Sequence, residues 1–259
     1  MSYPGGKSGA GVYQRIINLI PPHRVYIEAF AGGGAILRHK RPAACSIAVD
    51  ADARALTDLE SLVLSMYPCT FINGDAISFL REYAWRGDEF LYCDPPYLMS
   101  TRRSGRLYQH EMTDEQHRDL LSVILTIPAA VMISGYPSEL YDRPLCGWSI
   151  DKYKARTRGG TMADERLWMN YRPPALLHDD QYLGRNFRER ERIKRKRGRW
   201  TNRFRRLPIQ ERGAIFRDLA EVVRRSTTAD PSDGDRIADS GDGRPPALPT
   251  MLAGTDRHK

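Results

Sequence analysis

The sequence lacks the marks of a membrane-spanning, exported or metal-binding chain. No apolar run approaches the ~18 residues of a transmembrane helix, and the N-terminus has no charged-then-apolar signal pattern. The cysteines lie far apart with no CxxC pair, which argues against a zinc site or a disulfide framework. They are Cys45, Cys69, Cys93 and Cys146. We therefore expect a soluble, cytoplasmic protein with reduced thiols, no bound metal and no membrane partner.

Acidic residues are nearly missing from one short, strongly basic segment. Residues 185–206 hold 12 of the 40 Lys and Arg residues but only 2 of the 32 Asp and Glu residues. The whole chain carries a formal net charge of +8, so this segment supplies the entire positive excess. A polyanionic partner, most simply nucleic acid, is expected. A solvated helix and a surface for an acidic protein are the alternatives.

Apolar runs alternate with helical patterns along the first part of the chain. Such alternation is typical of βαβ units and of a parallel sheet covered by helices on both faces. The sequence therefore predicts a doubly wound, Rossmann-like α/β fold. Two later runs, at about 149–156 and 165–171, could close the sheet as an antiparallel pair. The five parallel strands are predicted at residues 25–30, 46–50, 70–75, 89–94 and 129–136.

The composition divides the chain into three parts. With 259 residues, of which 41% are hydrophobic, the chain can bury one full core and still have length for an extension. We predict one catalytic-sized domain over residues 1–175, a basic helical extension over 176–225 and a disordered tail over 226–259. The tail is rich in Asp, Gly, Pro, Ser and Thr and has almost no large apolar residues.

Two helices are predicted from their own signals. Thr113 and Gln116 have capping-box spacing at the start of "TDEQHRDLLSVIL", which continues with an apolar helical face. In the basic segment, apolar residues fall on one side of a helix and basic residues on the rest. These apolar residues are Ile193, Trp200, Phe204 and Leu207. We expect Trp200 and Phe204 to pack against the core rather than to stack on bases.

A glycine cluster marks the end of the first predicted strand. Gly32, Gly33 and Gly34 precede a helix, and small residues there let backbone amides approach a ligand. Asp50 ends the next strand, 18 residues after Gly32, where a carboxylate would accept from ribose hydroxyls. The pattern favours a nucleoside cofactor, NAD among the possibilities, over a tight turn with an exposed Asp. The "GGKS" at residues 5–8 is no P-loop, because no strand precedes it.

Two further acids follow later strands. Asp75 comes after the third strand, at the edge where doubly wound folds bind ligands, although it could equally cap the next helix. The fourth strand runs into Asp94, Pro95, Pro96 and Tyr97. A double proline ends the hydrogen-bonding ladder in a stiff, extended turn, which holds an acceptor and a flat ring in a fixed geometry. A purely structural turn with a capping Asp is the alternative.

Taken in order, these motifs resemble those of the Dam-like adenine-N-6 DNA methyltransferases. They are "YPGGK", "EAFAGGGA", "AVDAD", "NGDA", "LYCDPPY" and "SGY", within about residues 1–172. The resemblance implies that S-adenosyl-L-methionine is the cofactor and double-stranded DNA the partner. The implied cofactor-binding residues are Tyr3, Lys7, Phe30, Gly32, Gly34, Asp50, Asp75 and Asp94. The implied catalytic residues, which hold the target base, are Asp94, Pro95, Pro96 and Tyr97.

The implied reaction needs hydrogen-bond acceptors beside a weakly nucleophilic amine. The amino lone pair of adenine is delocalised into the ring, so the site must favour a more tetrahedral nitrogen. The Asp94 carboxylate and the Pro95 carbonyl would each accept one amino hydrogen and direct the lone pair at the sulfonium methyl group. The adenine would first leave the duplex and stack on Tyr97. The sequence therefore predicts a site-specific adenine-N-6 DNA methyltransferase.

The chain departs from the family pattern where sequence readout is expected. Well-known members carry a long target-recognition insertion before the DPPY strand, whereas Asp75 and Asp94 are only 19 residues apart here. Other segments must therefore contact DNA, and Arg contacts phosphates more often than base edges. The candidates are Arg102, Arg103, Arg106 and Tyr108 after the DPPY motif, Lys154, Arg156 and Arg158 in the predicted hairpin, and Lys194, Arg195, Lys196 and Arg197 in the basic helix.

Two other functions stay open. Related Pro-Pro motifs also serve the methylation of cytosine, RNA adenine or a glutamine side chain, although Asp before the prolines favours DNA adenine. The second rival is a DNA-binding protein of a phage or prophage that keeps the fold without turnover. The presence of Lys7, Asp50, Asp94 and Tyr97 argues against it. The sequence leaves the recognition sequence, a restriction partner and the oligomeric state open.

Overall fold

The computed structural model of the chain describes residues 7–9, 11–101, 110–156 and 160–228. They belong to two compact units, the first ending at Pro208 and the second beginning at Ile209. The division into residues 1–175, 176–225 and 226–259 stays a prediction, and most of the predicted tail, from residue 229, lies outside the described residues. Within the described ranges, no helix is both long and apolar enough to cross a membrane.

A seven-stranded sheet forms the centre of the first unit, in the strand order β3-β2-β1-β4-β5-β7-β6. Its strands are β1 (Val25–Ala29), β2 (Cys45–Asp50), β3 (Thr70–Asn73), β4 (Glu89–Cys93), β5 (Ala130–Gly135), β6 (Ser149–Arg156) and β7 (Met162–Met169). The first five pair in parallel, whereas β7 is antiparallel to both β5 and β6. The predicted doubly wound α/β fold is confirmed, as is the antiparallel pair that closes the sheet.

Helices alternate with the parallel strands, and two more follow the sheet. They are α1 (Val12–Ile17), α2 (Ala35–His39), α3 (Ala53–Val63), α4 (Ala76–Glu82), α5 (Asp114–Ile124), α6 (Glu139–Asp142), α7 (Phe187–Arg205) and α8 (Ile209–Thr228). Buried side chains form two clusters, and β4 contributes to both because all five of its residues are buried. The predicted capping box opens α5, with Thr113 and Gln116 each bonded to the other's backbone N–H.

The carboxyl ends of the parallel strands meet at one edge of the sheet. Ala29 at the end of β1 pairs with Val49 of β2 on one side and with Cys93 of β4 on the other. Cys93 in turn pairs with Ile133 near the end of β5. The segments that leave these strands, namely the glycine turn and the double-proline turn, are therefore neighbours. This carboxyl edge is where ligands bind in doubly wound sheets.

The basic helix α7 keeps its side chains largely in solvent. It contains no buried residue, and Trp200 is 52% exposed, so the expectation that Trp200 packs against the core is wrong. Charged residues occupy most of the helix surface, and the remaining apolar stripe is too narrow to bury such a long helix. Arg197 connects α7 to the preceding segment, because its guanidinium donates to the backbone oxygen and the carboxylate of Asp180 at 2.8 and 3.1 Å.

Candidate active site

The glycine turn after β1 adopts an unusual backbone conformation that Asp50 fixes in place. Phe30, Gly32 and Gly34 have φ angles of 61°, 49° and 56°, and for Phe30 this left-handed region is uncommon. The Gly32 N–H donates to Asp50 Oδ2 at 2.6 Å, and the Asp52 N–H donates to Oδ1 at 2.8 Å. Burial raises the pKa of Asp50, and these backbone hydrogen bonds oppose the rise. Asp50 therefore connects the ends of β1 and β2.

Packing beneath the turn explains why Gly34 has no side chain. A Cβ atom added to Gly34 would lie 2.4 Å from Cδ1 of Leu59, a buried residue of α3. The buried Glu28 supports the same region, because its Oε2 accepts from the Leu37 N–H and the Tyr26 hydroxyl, both at 2.8 Å. Burial raises the pKa of Glu28 to about 7. The close approach of α2 and α3 thus leaves room only for glycine at position 34.

A buried lysine contacts the first residue of the DPPY motif. Lys7 is only 5% exposed, and its Nζ donates to Asp94 Oδ1 at 2.7 Å. The Ser134 hydroxyl, from β5, donates to the same Oδ1 atom at 2.6 Å. The Asp94 side chain keeps 18% of its surface exposed. Two donors therefore fix one carboxylate oxygen where β4 ends, while the side chain retains access to the carboxyl edge of the sheet.

Tyr97 belongs to the same network through its hydroxyl group. The Tyr97 hydroxyl accepts from Lys7 Nζ at 2.6 Å and donates to Glu165 Oε2 at 2.9 Å. Tyr153 donates to the same Glu165 oxygen at 2.7 Å. We call Lys7, Asp94, Tyr97 and Glu165 the lysine cluster. With 6% of its surface exposed, Tyr97 offers little ring surface, so the predicted stacking on a base needs neighbouring groups to move.

The lysine cluster places one cation between two carboxylates. Lys7 Nζ lies 2.7 Å from Asp94 Oδ1 and 3.7 Å from Glu165 Oε2. Burial raises the pKa of Tyr97 and of Tyr153 well above the ordinary value, and the Glu165 carboxylate adds to both shifts. Both phenols therefore stay protonated and act as hydrogen-bond donors. A buried ammonium group needs compensating partners, and Lys7 has them in the Asp94 and Glu165 carboxylates and the Tyr97 hydroxyl.

The remaining predicted site residues lie near this edge or outside the described residues. Asp75 is exposed and caps α4, where its carboxylate accepts from the Ser78 N–H at 2.7 Å. Pro95 is buried and Pro96 half-buried. Helix α4 and a short turn fill the chain between Asp75 and β4, so no inserted domain separates them. The predicted residues outside the described part of the chain are Tyr3, Arg102, Arg103, Arg106, Tyr108 and Arg158.

The described DNA-binding candidates fall on two surfaces. Lys154 and Arg156 are exposed on β6, an edge strand of the sheet, where Lys154 pairs with Asp164 at 2.9 Å. The other candidates are exposed on α7, namely Lys194, Arg195, Lys196 and Arg197. An ion pair this exposed contributes about 0–1 kcal/mol, so Lys154 can leave Asp164 for a phosphate at little cost.

Sequence reasoning missed three polar side chains of the site. Glu28 and Ser134 lie inside motifs that the sequence already singled out, "EAFAGGGA" and "SGY", and a polar residue in a buried strand was the available signal. Glu165 lies outside every motif. Its signal was weaker: a carboxylate at an inward-facing position of the last strand, opposite Tyr153 in the register. Only the three-dimensional structure brings Glu165 next to Lys7.

Comparison with protein families identifies the enzyme class. Residues 48–142 match the family described as D12 class N6 adenine-specific DNA methyltransferase. This segment contains Asp50, Asp75, Ser134 and the whole DPPY motif, whereas Lys7 and the glycine turn precede it. The predicted family resemblance is confirmed. The chain is an S-adenosylmethionine-dependent methyltransferase. No curated protein sequence matches the chain at the significance required.

Solved structures similar to this methyltransferase share little sequence with it. Precorrin 8W decarboxylase from Methanobacterium thermoautotrophicum is 12% identical, with a TM-score of 0.45 over 65% of this chain and 94% of that one. A dimethyladenosine transferase from Plasmodium falciparum is 13% identical, with a TM-score of 0.45 over 62% and 61%. Magnesium protoporphyrin IX methyltransferase from Synechocystis PCC 6803, with bound SAM, is 14% identical, with a TM-score of 0.41 over 62% and 76%.

The residues at the carboxyl edge suit the S-adenosylmethionine that this methyltransferase uses. Each carboxylate oxygen of Asp50 accepts one backbone hydrogen bond, and a carboxylate has about four acceptor positions in all, so capacity for hydroxyl groups remains. The half-buried Phe30 adds apolar surface beside the turn. When bound, the cofactor supplies an electrophilic methyl group on a sulfonium centre. The acceptor capacity of Asp50 and the glycine turn therefore fit the nucleoside part of the cofactor.

Proposed function

We propose that this methyltransferase is a site-specific DNA adenine-N-6 methyltransferase that acts on the exocyclic amine of a flipped adenine. The observation that carries the proposal is the buried contact between Lys7 Nζ and Asp94 Oδ1, reinforced by Ser134, at the end of β4. It orients the carboxylate of a DPPY motif inside a segment that matches an adenine-specific family. A preorganised acceptor of this kind is the main electrostatic contribution that a protein can make to amine methylation.

The proposed reaction uses the two acceptors at the start of the double-proline turn. Asp94 Oδ2 and the Pro95 carbonyl each accept one hydrogen of the adenine amino group, which frees the nitrogen lone pair from the ring. The nitrogen then forms a bond to the methyl carbon as the carbon–sulfur bond breaks in line. The excess amino proton leaves through the Asp94 carboxylate to solvent. Lys7 holds the Asp94 carboxylate in the orientation that these steps need.

The cofactor side of the proposal assigns the glycine turn and its acids. Asp50 accepts from the ribose hydroxyls with its remaining lone pairs, and the backbone at Gly32 and Gly34 allows close approach. Phe30 packs against the apolar part of the cofactor. Asp75 contacts the adenine of the cofactor in addition to capping α4. The three assigned side chains lie at or just beyond the ends of β1, β2 and β3.

Duplex DNA is proposed to bind through charges outside the nearly neutral catalytic part. The four basic candidates on α7 contact phosphates, and Lys154 and Arg156 on β6 add contacts from the sheet side. Their exposure supports this role, because phosphate binding needs charged groups that water and DNA can reach. Arg102, Arg103, Arg106, Tyr108 and Arg158, which lie outside the described residues, are proposed to contribute to sequence readout.

A methyl-transfer assay tests the proposal directly. Labelled methyl transfer from S-adenosylmethionine to unmethylated duplex DNA is measured, and the DNA is digested to nucleosides to identify the product. We expect N6-methyladenine as the product, and we expect its rate of formation to fall by a factor of about 10² to 10³ in Asp94→Ala. Asp88→Ala, which removes an exposed carboxylate just before β4, is the matched control and keeps the activity. Methylcytosine, or methyl transfer only to RNA, would replace the proposed substrate with one of its rivals.

A further inference from the structure

A carboxylate that belongs to none of the recognised motifs lies beside the DPPY loop. Glu165 is buried on β7, and its register partner on β6 is Tyr153, which is buried on the same face. Lys152 and Lys154, one position on either side of Tyr153, are exposed. Most isolated buried carboxylates are destabilising, so a buried Glu in a strand needs compensating partners.

Two neighbours of Glu165, Tyr97 and Lys7, are components of the proposed catalytic machinery. Its Oε2 atom accepts from the Tyr97 hydroxyl at 2.9 Å and lies 3.7 Å from Lys7 Nζ. Lys7 Nζ donates to the Tyr97 hydroxyl at 2.6 Å and to Asp94 Oδ1 at 2.7 Å. A directional chain therefore runs from Lys7 through Tyr97 to Glu165. Glu165 reaches the reacting carboxylate of Asp94 only through these two residues.

The presence of two carboxylates beside the Lys7 ammonium group can be explained by charge balance. A buried ammonium group needs counter-charge, and if Asp94 were the only carboxylate beside Lys7, Asp94 would be drawn fully into that pair. A second carboxylate, that of Glu165 at 3.7 Å from Lys7 Nζ, shares the neutralisation. The same carboxylate fixes the Tyr97 hydroxyl as a donor, which leaves that oxygen free to accept from Lys7. Lys7 is thus held by two carboxylates and one hydroxyl group, while Asp94 keeps Oδ2 for the substrate.

We propose that Glu165 is a positioning residue for methyl transfer. It holds the side chains of Lys7 and Tyr97 in the positions from which Lys7 orients Asp94. The reaction at Asp94 is the one under Proposed function, on which this inference rests. Glu165 touches neither substrate nor cofactor in this scheme. Its loss loosens Lys7, and Asp94 then samples orientations in which its acceptor no longer faces the amine. Small displacements of this kind lower the rate of reaction without removing any reacting group.

The first test measures the placement of Lys7 without using the reaction. Folded protein is acetylated with an amine-directed reagent, and the modification of Lys7 is followed by peptide mass spectrometry in three proteins. They are the wild type, Glu165→Gln and Tyr153→Phe. Glu165→Gln keeps the size of the side chain and removes its charge, so Lys7 should react about threefold faster or more. Tyr153→Phe removes a donor to the same oxygen but leaves the carboxylate beside Lys7, so its Lys7 should stay protected.

The second test separates positioning from packing by steady-state kinetics on duplex DNA. We expect kcat in Glu165→Gln to fall by about 10- to 100-fold, while KM for S-adenosylmethionine stays within about twofold. Glu165→Asp, which keeps the charge on a shorter arm, should recover part of the loss. Tyr153→Phe should keep kcat within about threefold of wild type while its melting temperature falls by as much as that of Glu165→Gln.

The outcomes separate this inference from the proposed function. Unchanged Lys7 reactivity together with unchanged kcat in Glu165→Gln would overturn the inference, as would an equal loss of kcat in Tyr153→Phe. A wild-type protein that transfers no methyl group to DNA, but whose Lys7 labelling follows the expected pattern, would overturn the proposed DNA substrate. The positioning of Lys7 by Glu165 would then stand.

Discussion

The lysine cluster and the helix α7 both carry positive charge, but they hold it in opposite ways. Lys7 is buried, with partners at fixed distances of 2.6 to 3.7 Å. The basic residues of α7 are exposed on a helix with no buried side chain. Charge in the first setting acts through geometry, so one substitution should have a large effect. Charge in the second acts through its local concentration, so effects should be small, additive and sensitive to salt.

The largest effect on stability is expected when the cation of the buried region is removed. Lys7→Met leaves the carboxylates of Asp94 and Glu165 close together without their shared counter-charge, which should cost about 3–5 kcal/mol of unfolding free energy. Urea unfolding followed by circular dichroism measures this. Lys152→Met, on the exposed side of β6, is the matched control and should cost less than about 0.5 kcal/mol. Equal losses in the two variants would erase the distinction between buried and exposed charge.

The same substitution, Gly to Ala, should have opposite effects on stability in the glycine turn and in α7. Gly34→Ala should cost about 2 kcal/mol or more, because φ is positive and the new methyl group would meet Leu59. Gly198→Ala in α7 should raise helix stability by about 0.8 kcal/mol, because the added methyl group meets open space on an exposed helix. Thermal unfolding measures both. A stabilised Gly34→Ala protein would mean that the glycine turn is not conformationally restricted.

A smaller effect, confined to DNA binding, is expected from the exposed charges. Changing Lys194, Arg195 and Lys196 together to Gln should weaken duplex binding and reduce the slope of log Kobs against log salt by about 2.7. The measurement is a salt titration of fluorescence anisotropy, with unfolding free energy expected to stay within about 0.5 kcal/mol. The control removes three exposed arginines elsewhere, Arg86, Arg118 and Arg143. Matching slopes in the two triple variants would remove α7 from the DNA interface.

The smallest effect on stability is expected at Asp75. This residue is exposed, like the charges of α7, but it is assigned to the cofactor site at the carboxyl edge of the sheet. Asp75→Asn keeps an N-cap acceptor for the Ser78 N–H, so stability should change by less than about 0.5 kcal/mol. If the carboxylate also contacts the cofactor, affinity for S-adenosylmethionine should fall by about three- to tenfold. Calorimetric titration measures the affinity. Unchanged affinity would assign Asp75 to helix capping alone.

The sequence predicted the strands well because their limits have local causes. Strands buried on both faces read as apolar runs, and they end where Asp50 and the double proline interrupt the pattern. The capping box of α5 is a contact between residues three positions apart, which spacing alone reveals. The family resemblance predicted that Lys7 and Asp94 both belong to the site. It did not predict that these two residues, 87 positions apart in sequence, contact each other directly.

Features that depend on distant packing were beyond sequence reasoning. The inferred role of Glu165 depends on its contacts with Lys7 and Tyr97, which lie in two other parts of the chain. The burial of Tyr97 depends on the same packing, and it limits the ring surface that a flipped base could contact. Trp200 was expected to pack against the core because it lies on the apolar side of the predicted helix, but the charged surroundings on α7 keep it exposed. Each of these outcomes depends on neighbours that local pattern does not identify.

The position of β7 between β5 and β6 has a consequence for biosynthesis. Because β6 pairs only with β7, the penultimate strand must wait for the last one before it can join the sheet. Glu165 arrives with β7, long after Lys7, Asp94 and Tyr97 have been synthesised. A nascent chain that stops before Met162 therefore holds every recognised motif and yet lacks the second counter-charge of Lys7. A chain that ends before Met162 should therefore leave Lys7 and Tyr97 without the carboxylate contact that orders them in the complete sheet.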